Sequence, residues 1–154
     1  MVRVAWWLGL SIASGIAYMV AGKGGFPNAK LIRRLLCSLL ALCLFLALKG
    51  LSWGSWWAYL AFWGLNYGAL STYHDYLAPD GTSENWLCWL VTGFVYGLAA
   101  IPLIWIGITW WLILIRAGVL GITIMWLRER TGKAWLEELG SGFLYTASIP
   151  LLLI

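Results

Sequence analysis

The chain has 154 residues, 62% of them hydrophobic and 10% charged, with a net charge of +4 and a mean hydropathy of +0.84. That balance excludes an ordinary soluble domain and leaves room for five or six membrane spans of ~20 residues each in one domain, 1–154, with little outside the bilayer. The cations stand beside apolar runs, where they orient a chain and meet anionic lipid, which argues against a nucleic-acid partner.

In chain order, a first apolar helix over residues 4–21 ends at a segment containing Gly24, Gly25 and Pro27, which cannot continue a helix. It resembles a signal peptide, but Lys23, Lys30, Arg33 and Arg34 follow closely and favour a retained helix. A basic loop reaching Arg34 precedes a second span over 35–51 and a third over 56–73. The third delivers the chain into a polar loop holding His74, Asp75, Asp80, Glu84 and Asn85, with Pro79 and Gly81 as turn residues. Residues 86–127 would extend about 63 Å as one helix against a hydrocarbon core of ~30 Å. Pro102 and Gly107 therefore predict a tight turn over 106–109 that divides the stretch into two spans. A polar segment follows, and an amphipathic start leads into a last span over 136–154.

The expected fold class is thus all-α, a polytopic bundle of about six transmembrane helices, with five as the alternative if the fourth is long and tilted. With six, Lys23, Lys30, Arg33, Arg34, Arg128, Arg130 and Lys133 share one side, opposite Arg3 and Lys49. The larger group is expected in the cytoplasm, with both termini outside, in a bacterial inner membrane. Trp6 and Trp7, Trp56 and Trp57, and Trp110 and Trp111 read as anchors at headgroup level. Arg116, within about two turns of the start of the fifth span, is expected to snorkel to the outer interface. Small residues four apart (Ser11 and Gly15, Gly64 and Gly68, Gly93 and Gly97, among others) favour close helix packing, internal or between copies.

All six carboxylates fall in two windows: Asp75, Asp80 and Glu84, then Glu129, Glu137 and Glu138. A polar cluster of Arg33, Arg34, Asp75, Asp80, Glu84, Asn85 and Glu138 is the expected locus of function. One of Glu137 and Glu138 is expected to point inward and pair with Arg33, Arg34 or Arg130, since adjacent helical residues face different sides. His74, Asp75 and Glu138 are the candidate catalytic groups. Asp75, Asp80 and Glu138 are the candidate oxygen ligands of a divalent metal. Glu84 is also accounted for as an acid in the first turn of the fourth span. Cys37, Cys43 and Cys88 lack zinc-type spacing and read as small buried hydrophobes.

Three stretches, GKGGFPNAKLIRRLLCSLL, LSTYHDYLAPDGTSENWLCWLVTGFVYGLAAIPL and WLEELGSGFLY, together resemble small integral membrane proteins encoded by tailed bacteriophages and prophages. Gly25, Asn28, Lys30, Cys37, Thr72, Tyr73, Asp75, Asn85, Gly97, Pro102, Glu138 and Gly140 match the family pattern. His74 stands where the family has Trp and Glu84 where it has Asp. The resemblance therefore implies Asp75, Asn85 and Glu138 as shared positions rather than His74, and it implies a phage context rather than a chemistry. The expected function is interaction with, or modification of, the host inner membrane, with lipid, a host membrane protein or a second copy as partner. The rival expectations are a metal-dependent enzyme acting on a lipid or polyprenyl headgroup and an oligomeric, holin-like pore.

Overall fold

Apolar runs separated by short polar or glycine-containing breaks fold into α-helices, because a helix satisfies its own backbone groups wherever water is absent. The computed structural model describes residues 2–22, 28–72, 86–131 and 134–154. Among them are six α-helices and no strand: α1 (Val2–Gly22), α2 (Ala29–Lys49), α3 (Trp56–Thr72), α4 (Trp86–Leu98), α5 (Trp110–Thr131) and α6 (Ala134–Ala147). Short 3-10 helices occupy Trp53–Ser55, Ile101–Ile106 and Ile149–Leu152. The fold is all-α, and four segments, Val2–Val20, Leu31–Lys49, Trp86–Ile106 and Trp110–Arg130, are long and apolar enough to cross a membrane.

The long apolar stretch divides as its proline and glycine require. Pro102 opens the 3-10 helix, where its missing N–H costs no bond. Gly107, at φ 86°, then caps that helix, with its N–H donating to the Ile104 carbonyl at 3.0 Å and the Ile108 N–H donating to the Leu103 carbonyl at 3.1 Å. Among the described residues α4 and α5 are therefore separate helices and not one long tilted one.

Two boundaries differ from the sequence reading. α2 begins at Ala29 instead of near residue 35, because Asn28 adopts the left-handed conformation (φ 64°, ψ 28°), which its short polar side chain tolerates. Arg33 and Arg34 consequently lie within α2 and face different directions. The last helix stops at Ala147, and the chain proceeds as the Pro150-containing 3-10 turn. α6 alone, at 14 residues, is ~21 Å long.

Backbones approach most closely in two antiparallel pairs, α1 with α6 and α4 with α5. A Cβ on Gly15 would stand 2.7 Å from the Leu139 carbonyl oxygen, and one on Gly142 would stand 2.7 Å from the Ser14 oxygen. Gly93 and Gly97 lie directly on the backbone of Leu120 and on Ala117, with no room for a side chain. Gly9, Gly50, Gly54 and Gly64 meet nothing within 4 Å. The small-residue spacings thus serve internal packing at Gly15, Gly93 and Gly97, whereas Gly9 and Gly64 face outward. α2 and α3 complete the core through Phe45, whose ring meets Phe62 at 5.7 Å and Tyr59 at 6.3 Å.

The exterior is apolar, and every Trp except Trp63 lies within about two turns of a helix end, where its amphipathic ring suits a membrane interface. Trp53, Trp56, Trp105 and Trp110 are exposed at one end of the bundle, and Trp86, Trp126 and Trp135 at the other.

Gly97→Val is expected to lower the thermal midpoint of the detergent-purified protein by the equivalent of about 1–3 kcal/mol of overpacking. Gly64→Ala, in open space on a helix, is expected to leave the midpoint unchanged or raise it by up to the equivalent of about 1 kcal/mol. Temperature-dependent size-exclusion chromatography reads both.

Candidate functional site

On α5 the residues facing the core are Leu112, Ile113, Arg116, Ala117, Leu120, Gly121 and Ile124, a helical stripe in which Arg116 is the one charged member. Arg116 is fully buried, at 0% exposure. It does not snorkel to the interface, because its register aims it at α4 and α6 and because Gly97 brings the α4 backbone within reach.

The guanidinium meets carbonyl and hydroxyl oxygens. Nη1 donates to the carbonyls of Tyr96 and Gly97, each at 3.2 Å, and Nη2 donates to the Tyr145 carbonyl at 3.4 Å. Nε donates to Ser148 Oγ at 3.0 Å, and that hydroxyl itself donates to the Tyr145 carbonyl at 2.9 Å. Tyr96 and Gly97 belong to the last turn of α4, and Tyr145 to the last turn of α6. A helix leaves its final carbonyls without intrahelical partners and carries about half a negative charge at that end. Two C-termini converging on one guanidinium therefore supply roughly one compensating charge, which is how a cation is held here without a carboxylate among its bonded partners.

A buried polar column continues from this point. The Arg116 guanidinium lies 5.6 Å from the centre of the Tyr145 ring, and Tyr145 packs edge-on against Tyr96 at 5.3 Å. The Tyr145 hydroxyl donates to Asn66 Oδ1, and Asn66 Nδ2 donates to the Phe62 carbonyl at 2.6 Å, which ties α6 to α3. Farther along, Arg33, only 3% exposed, lies over the Tyr18 ring at 4.6 Å, and Cys37 Sγ donates to the Ser14 carbonyl at 3.6 Å. Among the described residues, the buried hydroxyls of Ser11, Ser14, Ser141 and Thr146 along these faces have no hydrogen-bond partner.

At the end of the bundle where α5 finishes, Arg128 Nη1 pairs with Glu137 Oε2 at 2.9 Å, and the Arg128 guanidinium lies 4.3 Å from the centre of the Trp89 ring. Glu137, in the first turn of α6, thus pairs with Arg128, a partner outside the expected set of Arg33, Arg34 and Arg130. Glu138 is half-buried on α6, and Arg34 is half-buried beside the buried Arg33. The other members of the expected cluster, His74, Asp75, Asp80, Glu84 and Asn85, lie outside the described residues. Among the described residues no three His, Cys, Asp or Glu side chains come together as a metal site. Cys37 is buried as expected, but Cys43 is exposed and Cys88 is half-buried, since they face away from the bundle axis.

Reading the sequence for charge missed the Arg116 network. The available signal was the spacing of Arg116 with Ile113, Ala117 and Leu120 on one stripe, opposite the Gly93 and Gly97 face of α4. No protein-family model, curated protein or solved structure matches the chain.

Arg116→Met should cost about 2 kcal/mol, since four interhelical hydrogen bonds at about 0.6 kcal/mol each are lost. Arg116→Lys should recover less than half, because an ammonium lacks the planar fork that reaches two helix ends at once. Unfolding in detergent by added denaturant measures both, and full recovery in Arg116→Lys would show that charge alone suffices.

Proposed function

We propose that this is a multi-pass protein of the bacterial inner membrane, of the kind that tailed phages and prophages encode. It acts by interaction with, or modification of, the host membrane or a membrane partner. The observation that carries the reading is the use made of the buried and half-buried cations. Arg116 is committed to two helix C-termini and Ser148, Arg33 to the Tyr18 ring, and Arg128 to Glu137 and Trp89. Each joins two or more helices, as expected of polar groups that fix a membrane bundle. The end bearing Arg33, Arg34, Arg128 and Arg130 is assigned to the cytoplasm by the excess of Lys and Arg there. Asp75, Asn85 and Glu138, the positions implied by the phage resemblance, would then form a cytoplasmic surface with Arg33 or Arg34.

A metal-dependent enzyme acting on a lipid or polyprenyl headgroup would instead bring Asp75, Asp80 and Glu138 onto one cation, with His74 as base. A pore would assemble through outward small-residue faces such as that of Gly64. Elemental mass spectrometry of purified wild type beside Asp75→Asn is expected to find no stoichiometric divalent metal in either. Near-stoichiometric metal lost in the variant would overturn the interaction reading in favour of the enzyme. Proteoliposomes are expected to hold an ion gradient as well as empty vesicles do, and leakage in proportion to protein content would establish the pore instead.

A further inference from the structure

At the Arg3 end of the bundle two clefts open side by side. One, of about 470 Å³, is lined by Arg3, Lys49, Thr109 and Leu112, with Pro150 and Leu152 on its far wall. The other, of about 430 Å³, is lined by Val4, Trp7, Ala147 and Leu151, and it shares Arg3, Leu48, Pro150 and Ile154 with the first. Their characters differ. The first presents two cations from different helices, α1 and α2, and no Asp or Glu side chain. In the second the one polar group of Trp7, its Nε1–H, already donates to the Ala147 carbonyl at 3.0 Å, so an apolar ring faces the cleft.

We infer that these joined clefts bind an anionic phospholipid, its phosphate between Arg3 and Lys49 and an acyl chain along Val4, Trp7 and Leu151. Three observations favour this occupant over a free anion or a protein segment. The cationic cleft lies at the level of exposed Trp53, Trp56, Trp105 and Trp110, which is where headgroups meet water. The apolar cleft leads from the same Arg3 and Leu48, which a small anion would leave unfilled and an acyl chain would cover. Arg3 and Lys49 are both exposed, so their stems can lie on apolar surface while their heads converge on a phosphate. Each cation near a membrane surface favours anionic lipid by a several-fold factor, so two predict a selectivity of at least about tenfold.

The inference rests on the membrane-embedded reading, and the two fail differently. Alkaline carbonate washing that releases the protein from membranes would overturn that reading itself. With the protein retained, native mass spectrometry after reconstitution in equal phosphatidylglycerol and phosphatidylcholine tests the site. Wild type is expected to keep phosphatidylglycerol preferentially. Arg3→Gln with Lys49→Gln should lose the preference by about tenfold or more, and Val4→Trp, which fills the apolar cleft, should weaken retention of the same lipid. Arg130→Gln, an exposed cation at the opposite end, should change neither. Equal retention of both lipids, no change in the double variant, an equal loss in Arg130→Gln, or displacement of the lipid by inorganic phosphate would overturn the proposal. The Val4→Trp variant, which retains both cations, decides the matter if the double variant does not fold.

Discussion

A guanidinium in the middle of an apolar bundle needs an opposite charge, and in this protein two helix ends supply it. α4 and α6 both terminate against Arg116, and carbonyls of their last turns accept its N–H groups, that of Tyr96 beside those of Gly97 and Tyr145, which also accept from the Ala100 N–H and the Ser148 hydroxyl. One side chain thereby binds acceptors from two helix ends. Both ends lie just ahead of Pro102 and Pro150, which impose the passage into 3-10 geometry. At both places the helix ends where its carbonyls have Arg116 as an alternative donor.

The rest of the packing follows from bringing those ends together. α4 can deliver its carbonyls only because Gly93 and Gly97 allow its backbone to lie on α5, and α6 is held beside α1 by Gly15 and Gly142. Tyr145 connects the pairs, with its carbonyl on Arg116, its ring against Tyr96 and its hydroxyl on Asn66 of α3. Interhelical hydrogen bonds within lipid are individually weak, at about 0.6 kcal/mol, so their value here lies in register. A slip of one residue along α5 would rotate Arg116 out of reach of both C-termini.

Polar groups are also sorted by position along the bundle. Its centre holds Arg116, Tyr145, Tyr96 and Asn66, each buried. One end holds cations joined to other helices through a ring or a carboxylate, Arg33 on Tyr18 and Arg128 on Trp89 and Glu137. The other end holds Arg3 and Lys49 exposed beside open clefts. Cations in these three settings do different work: internal neutralisation, helix pairing and, at the open end, contact with what surrounds the protein.

The sequence by itself determined the class of the molecule. Its apolar runs are too long and too poor in charge for a soluble domain, Pro102 and Gly107 forced the division of the 86–127 stretch, and the Trp residues marked helix ends. These features are local: a proline lacks an N–H and a glycine accepts φ 86° whatever surrounds them. Sequence also singled out Gly15, Gly93 and Gly97, but it could not separate them from Gly64, which has the same spacing and no neighbour. Only the tertiary structure decided which glycines are used, that Glu137 pairs with Arg128, and that Arg116 is buried instead of snorkelling. The physical reason is that its partners are backbone carbonyls, which every residue carries. Nothing in the identity of Tyr96, Gly97 or Tyr145 announces an acceptor, and the charge that neutralises Arg116 comes into being only when two distant helices end at the same place.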